Sequence, residues 1–516
     1  MVTDVAVQLD LWRELDQADP YNKITTFGYD VSNKIQTATD PSGRATTFSV
    51  SGGTLNQVQR ADGSYATYTY SGNRMATVKD PNGKVVTVAY DAANRASTIT
   101  RPDGTTQTFK AYQERGYDTS GTSGTPAPAT LLAEARATHT DPNSHATDIR
   151  SDWSGLGLGN QLTDPDGNVT SLDLNSSGLA YVFVDRLNRI SQYTYDASGN
   201  VTSQIYPDLN SDQYTYNSFS EPLTHKNANG KTTTYGYDAN GNVTLTLDPL
   251  GNRTSMTYTG NGQLQTIKDA NNKVTTLAYD SQDRMTTATF PDGTTNLVAY
   301  DGKGNAATVT DERSNATTYA YDALNRQTGM TDPLGNRTTY GYDAVGNQTS
   351  VQAPLSRTTN YAYDSMNRLQ AVTDPLSHAT TLGYDSAGNL QTTKDALGRV
   401  TSYAYDAEDR LSTATDPLGK VTTLGYDAAG QKVTQTDPYG KVTTFAYSNR
   451  GFLSTVTDPL GGLITYTYTA TGKMSGEFKT GGSMLTSQSL TYDDDDRLVG
   501  SNNGAGITTF PYDGAG

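Results

Sequence analysis

The chain contains no cysteine, which excludes disulfides and thiolate metal sites and leaves the redox compartment open. It is also poor in core-forming material: only 34% of 516 residues are hydrophobic, with 10 Phe and 2 Trp beside 35 Tyr. Basic residues are outnumbered, 38 against 54, for a net charge of −16. An acidic chain lacks the surface that phosphate binding needs, so nucleic acid is excluded as a partner. No run approaches the roughly 18 apolar residues that cross a bilayer, so no membrane span is expected. The N-terminal stretch MVTDVAVQLDLWRELDQADP places charges where a signal peptide has its apolar centre, so no export signal is visible. The charge is small for the length, however, and abundant Tyr, Thr and Val favour strands over disorder.

What the sequence does have is a period. From Tyr195 to Tyr468, fourteen tyrosines stand 21 residues apart without insertion or deletion. Two places before each stands a large apolar or aromatic residue, such as Tyr235, Leu277, Tyr340 or Phe445, and between them Gly, Ala or Thr. This alternation marks a strand with one packed face. An aspartate follows most of these tyrosines: Tyr237-Asp238, Tyr279-Asp280, Tyr321-Asp322, Tyr342-Asp343, Tyr363-Asp364, Tyr384-Asp385, Tyr405-Asp406 and Tyr426-Asp427. The fourth place after tyrosine is usually Gly, Asn or Asp, as in Gly241, Asp283, Gly304 and Asn325, residues that tolerate positive φ. The aspartate can accept backbone N–H bonds across that turn. A second strand, such as 411–415, runs into a second turn signal: Asp248-Pro249, Asp332-Pro333, Asp374-Pro375 and Asp416-Pro417, with Gly419 three places after Asp416. Each repeat thus reads strand, turn, strand, turn, an antiparallel meander. A tyrosine in every repeat is expected to pack on its neighbours, with its hydroxyl bonded or wet, rather than to stack on ligands.

From Tyr279 to Tyr426 the pair following the turn alternates, Asp283-Arg284, Gly304-Asn305, Asn325-Arg326, Gly346-Asn347, which makes a unit of 42 residues. Duplication of a pair is the simplest reading. The array divides into a slightly irregular part (1–110), an irregular insertion (111–160) and a regular part (161–516), one continuous repeat domain. Within the insertion, the Ser/Thr/Gly/Pro run 119–128 reads as a loop and 131–136 as a short helical turn. The sequence stops inside a turn at Tyr512-Asp513-Gly514-Ala515-Gly516, which reads as a fragment of a longer protein.

Nothing points to catalysis, a cofactor or a metal. Asp164-Pro165-Asp166-Gly167-Asn168 resembles a calcium loop, but it has a proline inside and lacks the bidentate glutamate. The run 493–496, four aspartates, falls in phase with the Tyr-Asp turn and reads as a solvated acidic turn. His139, His145, His225 and His378 form no spaced metal pair, and Ser144 cannot face His145 as nucleophile and base. Trp12 and Trp153 stand outside the regular array.

These motifs, with Tyr321 to Ser350 (YDALNRQTGMTDPLGNRTTYGYDAVGNQTS) as a near-ideal copy, resemble the RHS or YD-repeat family over almost the whole chain. The resemblance implies an all-β fold, in which a continuous sheet of 21-residue strand-turn-strand repeats spirals into a hollow shell or part of one. It also implies bacterial, secreted or cell-surface proteins: polymorphic toxins and the cocoon components of insecticidal toxin complexes, with teneurins as animal relatives. In the toxins such a shell encloses a toxic domain and self-cleaves with aspartates of a closing segment. No such segment follows these repeats, so only the structural Tyr-Asp and Asp-Pro motifs carry over. The expected role is a non-enzymatic shell segment around a polypeptide cargo, with that cargo or secretion-system components as partners. The alternative is an adhesin or filament element that binds glycans or neighbouring cells through the repeat surface.

Overall fold

The computed structural model describes residues 17–18, 24–32, 34–40, 44–113, 135–151, 159–481 and 486–513. Trp12, Trp153 and the Ser/Thr/Gly/Pro run 119–128 lie outside them, as do 131–134 of the expected helical turn. The remaining two residues of that turn, Ala135 and Arg136, open a strand, Ala135–Thr140. The chain is all-β. Among the described residues forty-six strands form one ribbon, each paired antiparallel with its neighbours in sequence. The sheet also runs through much of segment 111–160, as strands Ala135–Thr140, Ala146–Ser151 and Gly159–Thr163. Among the described residues helix is confined to one short 3-10 turn, Pro354–Ser356.

A typical repeat has a six-residue strand, Val274–Tyr279, and a five-residue strand, Met285–Thr289. Burial alternates along the first: Thr275, Leu277 and Tyr279 are half-buried, while Val274, Thr276 and Ala278 are exposed. Only Val88 and Ala288 are buried apolar residues among those described, at 8% and 7% exposure. The wall is therefore one sheet thick, without a second layer to close a core. Cohesion comes from each hairpin packing sideways on the next, the quasi-one-dimensional arrangement of repeat proteins.

Tyrosine rather than phenylalanine is required because the hydroxyl is used. Tyr279 donates to the Leu264 carbonyl at 2.7 Å, Tyr300 to Met285 at 2.8 Å, Tyr342 to Gln327 at 2.8 Å and Tyr426 to Leu411 at 2.9 Å, always 15 residues back. Each tyrosine thus pins its repeat to the one before. Tyr300→Phe keeps the ring but leaves the Met285 carbonyl without this donor. We expect a local loss of about 1 kcal/mol, read as faster amide exchange in 285–300 with unchanged exchange in distant repeats.

The small residue before tyrosine faces a side chain across the pair. A Cβ on Gly341 would lie 2.5 Å from Ser350 Oγ, whereas Val243 already stands at the place in its repeat that Gln348 holds. Gly341→Val is expected to lower the denaturation midpoint, at a cost of about 1 kcal/mol, and Gln348→Val to leave it unchanged.

At every Tyr-Asp hairpin the register slips at the tyrosine: Ala278 pairs with Thr287 but Tyr279 with Met285. The same slip recurs at Ala320/Tyr321, Ala362/Tyr363 and Ala404/Tyr405. The Asp-Pro hairpins keep an even register, as Thr413–Thr415 do against Val421–Thr423. A bulge bends its strand and increases its twist. One bulge per repeat, always at the same end, makes the ribbon curl steadily in one sense.

The 42-residue alternation has a packing basis. Arg284, Arg326, Arg368 and Arg410 lie over Tyr300, Tyr342, Tyr384 and Tyr426, with guanidinium to ring-centre distances of 4.4, 4.9, 4.6 and 5.0 Å. Arg326 also donates to the Asp343 carbonyl at 2.9 Å. In the intervening repeats, Asn305, Asn347 and Asn389 donate forward to Asn325, Asn367 and Asp409. An arginine repeat therefore supplies the acceptor that the preceding asparagine repeat needs.

Candidate functional site

The recurrent chemical feature is the turn. In the Tyr-Asp turns Asp280 Oδ1 accepts the N–H groups of Gln282 and Arg284 at 2.9 and 3.0 Å, and Oδ2 accepts Arg284 Nε at 2.7 Å. The left-handed position is held by Asp283, Asn325, Asn367 and Asp409, with φ near 60°, or by glycine, as at Gly304. Asp238, Asp322, Asp343, Asp364, Asp385, Asp406 and Asp427 likewise accept the amide four residues on in their own repeats. The Asp-Pro turns share the design: Asp332 Oδ1 takes the amides of Leu334 and Asn336, and Asp416 those of Leu418 and Lys420. Pro333 and Pro417 occupy the next position, where no N–H is needed. Bonds accepted by these carboxylates hold Asp322, Asp364 and Asp406 below the usual range, against burial that pushes the other way. Both families of turns thus end hairpins.

The curl then brings distant turns together. Lys84 Nζ donates to the Asp364 carbonyl and, at 2.7 Å, to Asn367 Oδ1. Asn143 meets Asp385, Arg189 meets Gln431 and Asn229 meets Thr471, each pair 242 residues apart. The contacts run from Arg60 with Ala344 to Lys231 with Asp494. In every one, an Asp-Pro-type turn of an earlier winding meets a Tyr-Asp turn of a later one. The ribbon is a spiral whose second winding stands edge to edge on the first. Among the described residues no strand pairing closes the sheet on itself.

This seam concentrates the buried charge. Asp164, with 2% of its side chain exposed, lies 3.2 Å from Arg186 Nε. The other end of that guanidinium is 2.5 Å from Glu408, which Arg410 approaches at 3.1 Å. Arg410 also pairs with Asp166 at 3.0 Å. The calcium-like loop 164–168 is thus a turn whose carboxylates are matched by arginines. Burial, then a hydrogen bond with Asp164, pushes the Glu408 carboxyl up, and Asp164 is held below its usual range. Glu408 Oε1 is buried without a hydrogen-bond partner.

A second such pair lies in the run 493–496. Asp493 caps its own turn through the amides of Asp495 and Arg497. Asp494 pairs with Lys231 at 2.8 Å, and Asp496 accepts Asn229 at 3.2 Å and Thr471 at 2.9 Å. The run is a turn, as expected, but its carboxylates serve the seam and none is fully exposed. Burial, followed by the hydrogen bond and charge of Asp248, pushes Asp495 up to about 6. An acid with a raised folded pKa stabilises while protonated; that gain is full below its ordinary value near 3.8 and is lost as pH rises through about 6. Asp248 is shifted the other way and loses its gain only on strong acidification. Between about pH 5 and pH 7 the seam is expected to weaken by on the order of 1–2 kcal/mol. Amide exchange in 493–497, corrected for its intrinsic pH dependence, should speed up over that range in the parent and stay level in Asp495→Asn.

The histidines are absorbed by packing. His139 stacks on Phe109, His225 stacks on Tyr214 and meets Asp212 at 3.3 Å, and His378 meets Asp374 at 3.0 Å. Asp141, His145 and Asp409 bring one ligand atom each within 4.8 Å of one another across the seam. Asp409 accepts Asn389 at 2.6 Å, and His145 Nδ1 lies 3.4 Å from Asp141 without a hydrogen bond. No residue spacing in the sequence could have foretold this trio, since its members belong to different windings.

The sequence profile of the RHS Repeat family matches residues 68–106, 216–253, 258–295, 300–337, 328–358, 342–379, 384–421, 405–442 and 426–463, together more than half of the chain. No curated protein sequence matches significantly. Among solved structures, the fold is similar to that of a TcdB2-TccC3 crystal structure, with a TM-score of 0.61 and 14% identity over 97% of this chain and 33% of the other. It is similar also to a chain of the Photorhabdus luminescens Tc holotoxin pore, with a TM-score of 0.62 and 16% identity over 93% of this chain and 30% of that one. The chain spans about a third of the length of these structural relatives. At this identity the likeness is one of fold, and it agrees with the family assignment. With its 21-residue hairpins, capped turns and nine matched segments, the chain belongs to the RHS repeat family.

Proposed function

We propose that this chain is a wall segment of a shell that holds a polypeptide cargo. One observation carries the reading: a sheet one layer thick returns on itself and stacks edge to edge after 242 residues. That separation is about 23 strands, or a circumference of roughly 110 Å at ~4.8 Å per strand, a ring about 35 Å across its wall. A single-layer ring has no core to fill its middle, and the half-buried Tyr and Leu face suits the concave side, where side chains converge. The structural relatives include a Tc holotoxin pore, which supports a secreted toxin component as the setting. In this reading the array contains and does not catalyse, because its carboxylates cap turns or pair across the seam. The tyrosines offer glycans little, since their hydroxyls are bonded to carbonyls and several ring faces carry arginine.

Single-particle imaging of the purified chain tests the proposal. A hollow particle with a spiral wall is the expected result. An extended ribbon without stacked windings would overturn it. Cargo retention is read separately, by co-expressing the chain with its native neighbouring polypeptide and measuring that polypeptide's resistance to protease.

A further inference from the structure

One turn motif occurs twice in the chain. Asp141-Pro142-Asn143-Ser144-His145 and Asp374-Pro375-Leu376-Ser377-His378 carry Asp, Pro, Ser and His at the same places. Their backbones agree as well. Ser144 and Ser377 are left-handed, with φ of 71° and 68°, and Oδ1 of Asp141 and of Asp374 accepts the amide of its own histidine at 2.7 and 2.9 Å. Two copies of one local structure therefore report what the surroundings do to the histidine ring.

The rings differ. His378 closes on its own turn, with Nδ1 hydrogen-bonded to Asp374 Oδ2 at 3.0 Å. His145 lies in the seam, and its Nδ1 stays 3.4 Å from Asp141 Oδ2, buried and without a hydrogen-bond partner. What the seam adds is Asp409 of the other winding. One oxygen of Asp141, one ring nitrogen of His145 and one oxygen of Asp409 all lie within 4.8 Å of one another. Asp409 gives Oδ1 to Asn389 at 2.6 Å, and a carboxylate keeps lone pairs on both oxygens for further ligands. A buried nitrogen without a partner is costly, and an ion shared with the two carboxylates removes that cost.

The donor set also says which ion. Two carboxylates and a neutral imidazole carry a charge of −2, which a divalent cation balances. Calcium and magnesium take oxygen ligands, whereas imidazole suits the first-row transition metals and zinc. Zinc binds these donors at about 2.0–2.2 Å, which places them roughly 3.3 Å apart. The trio therefore draws in by about 1.5 Å at most, within reach of side-chain rotation. The nearby cation, Arg410, is already matched by Asp166, Asp406 and Glu408.

We propose that Asp141, His145 and Asp409 bind a divalent transition-metal ion that clips the two windings together. The turn 406–410 is then held on both sides: by the ion against 141–145, and by Arg186 and Arg410 against 164–168.

Calorimetric titration of the full chain with zinc chloride at neutral pH tests this, with amide exchange read in parallel. One zinc per chain is expected, and exchange should slow in both 141–145 and 406–410 once it is bound. His145→Gln and Asp409→Asn should each weaken binding by at least about tenfold, since even the loss of a ligand's outer partner costs that much. His378→Gln should bind like the parent. The fold tolerates both site changes: asparagine stands in the place of Asp409 at Asn325 and Asn367, and the place of His145 holds Asn336 or Lys420 in other turns. Asp141 is kept, because it caps its turn. A parent without saturable binding, or zinc that slows exchange in one winding alone, would overturn the proposal. So would binding that either site variant leaves unaltered, or that His378→Gln weakens equally, results that mean an adventitious ion only.

Discussion

Arg186→Ala is expected to open the seam at its most buried point, at a cost of about 3 kcal/mol. Arg186 is the cation shared by Asp164 and Glu408, at 3.2 and 2.5 Å. Without it two carboxyls remain in a space where Asp164 shows 2% of its side chain to solvent. Arg410 still reaches Glu408 at 3.1 Å, so the loss falls mainly on Asp164. The unpaired carboxyls respond by holding a proton, so the defect should be milder at low pH than at neutral pH. Glu408→Gln in the Arg186→Ala background removes one of the two charges and should recover part of the loss. The double-mutant cycle in urea, read by amide exchange in 164–168 and 406–410, separates this coupling from general damage. Equal exchange in the parent and in Arg186→Ala would show that the two windings do not rest on each other there.

Asp322→Ala carries the next largest effect, about 2 kcal/mol. The side chain accepts the amides of Leu324 and Arg326 at 2.8 and 3.0 Å and Arg326 Nε at 2.7 Å. Arg326 in turn lies over Tyr342 and bonds the Asp343 carbonyl, so loss of the carboxylate loosens two hairpins. Asp322→Asn keeps an amide-accepting oxygen but not the ion pair, and should cost about half as much. The check is the order of melting, parent above asparagine above alanine. Fraying should be confined to 316–347, because coupling in a repeat array decays from neighbour to neighbour.

The repeat was legible because its causes are local. Asp280 meets Gln282 and Arg284 within its own turn, so the Asp, the left-handed residue and the strand alternation all appear as short-range spacing. The tyrosine hydroxyl was legible only as a need for some partner; that the partner is the carbonyl 15 residues back follows from the register of two hairpins. The bulge had no residue signature, since Thr286 in the gap between Met285 and Thr287 looks like any strand threonine. The 42-residue alternation was visible as a pattern, but its reason lies in Arg326 over Tyr342 and Asn305 on Asn325, contacts between repeats that composition does not reveal.

By itself, then, the sequence determined what each hairpin is: its strands, its capped turns, its half-buried face and its membership of a continuous antiparallel array. Tertiary structure alone decided which hairpins meet. The separation of 242 residues between Arg189 and Gln431 is the sum of a small bend at every bulge, and no single residue encodes it. Local spacing sets the shape of a repeat; accumulated twist sets its neighbours.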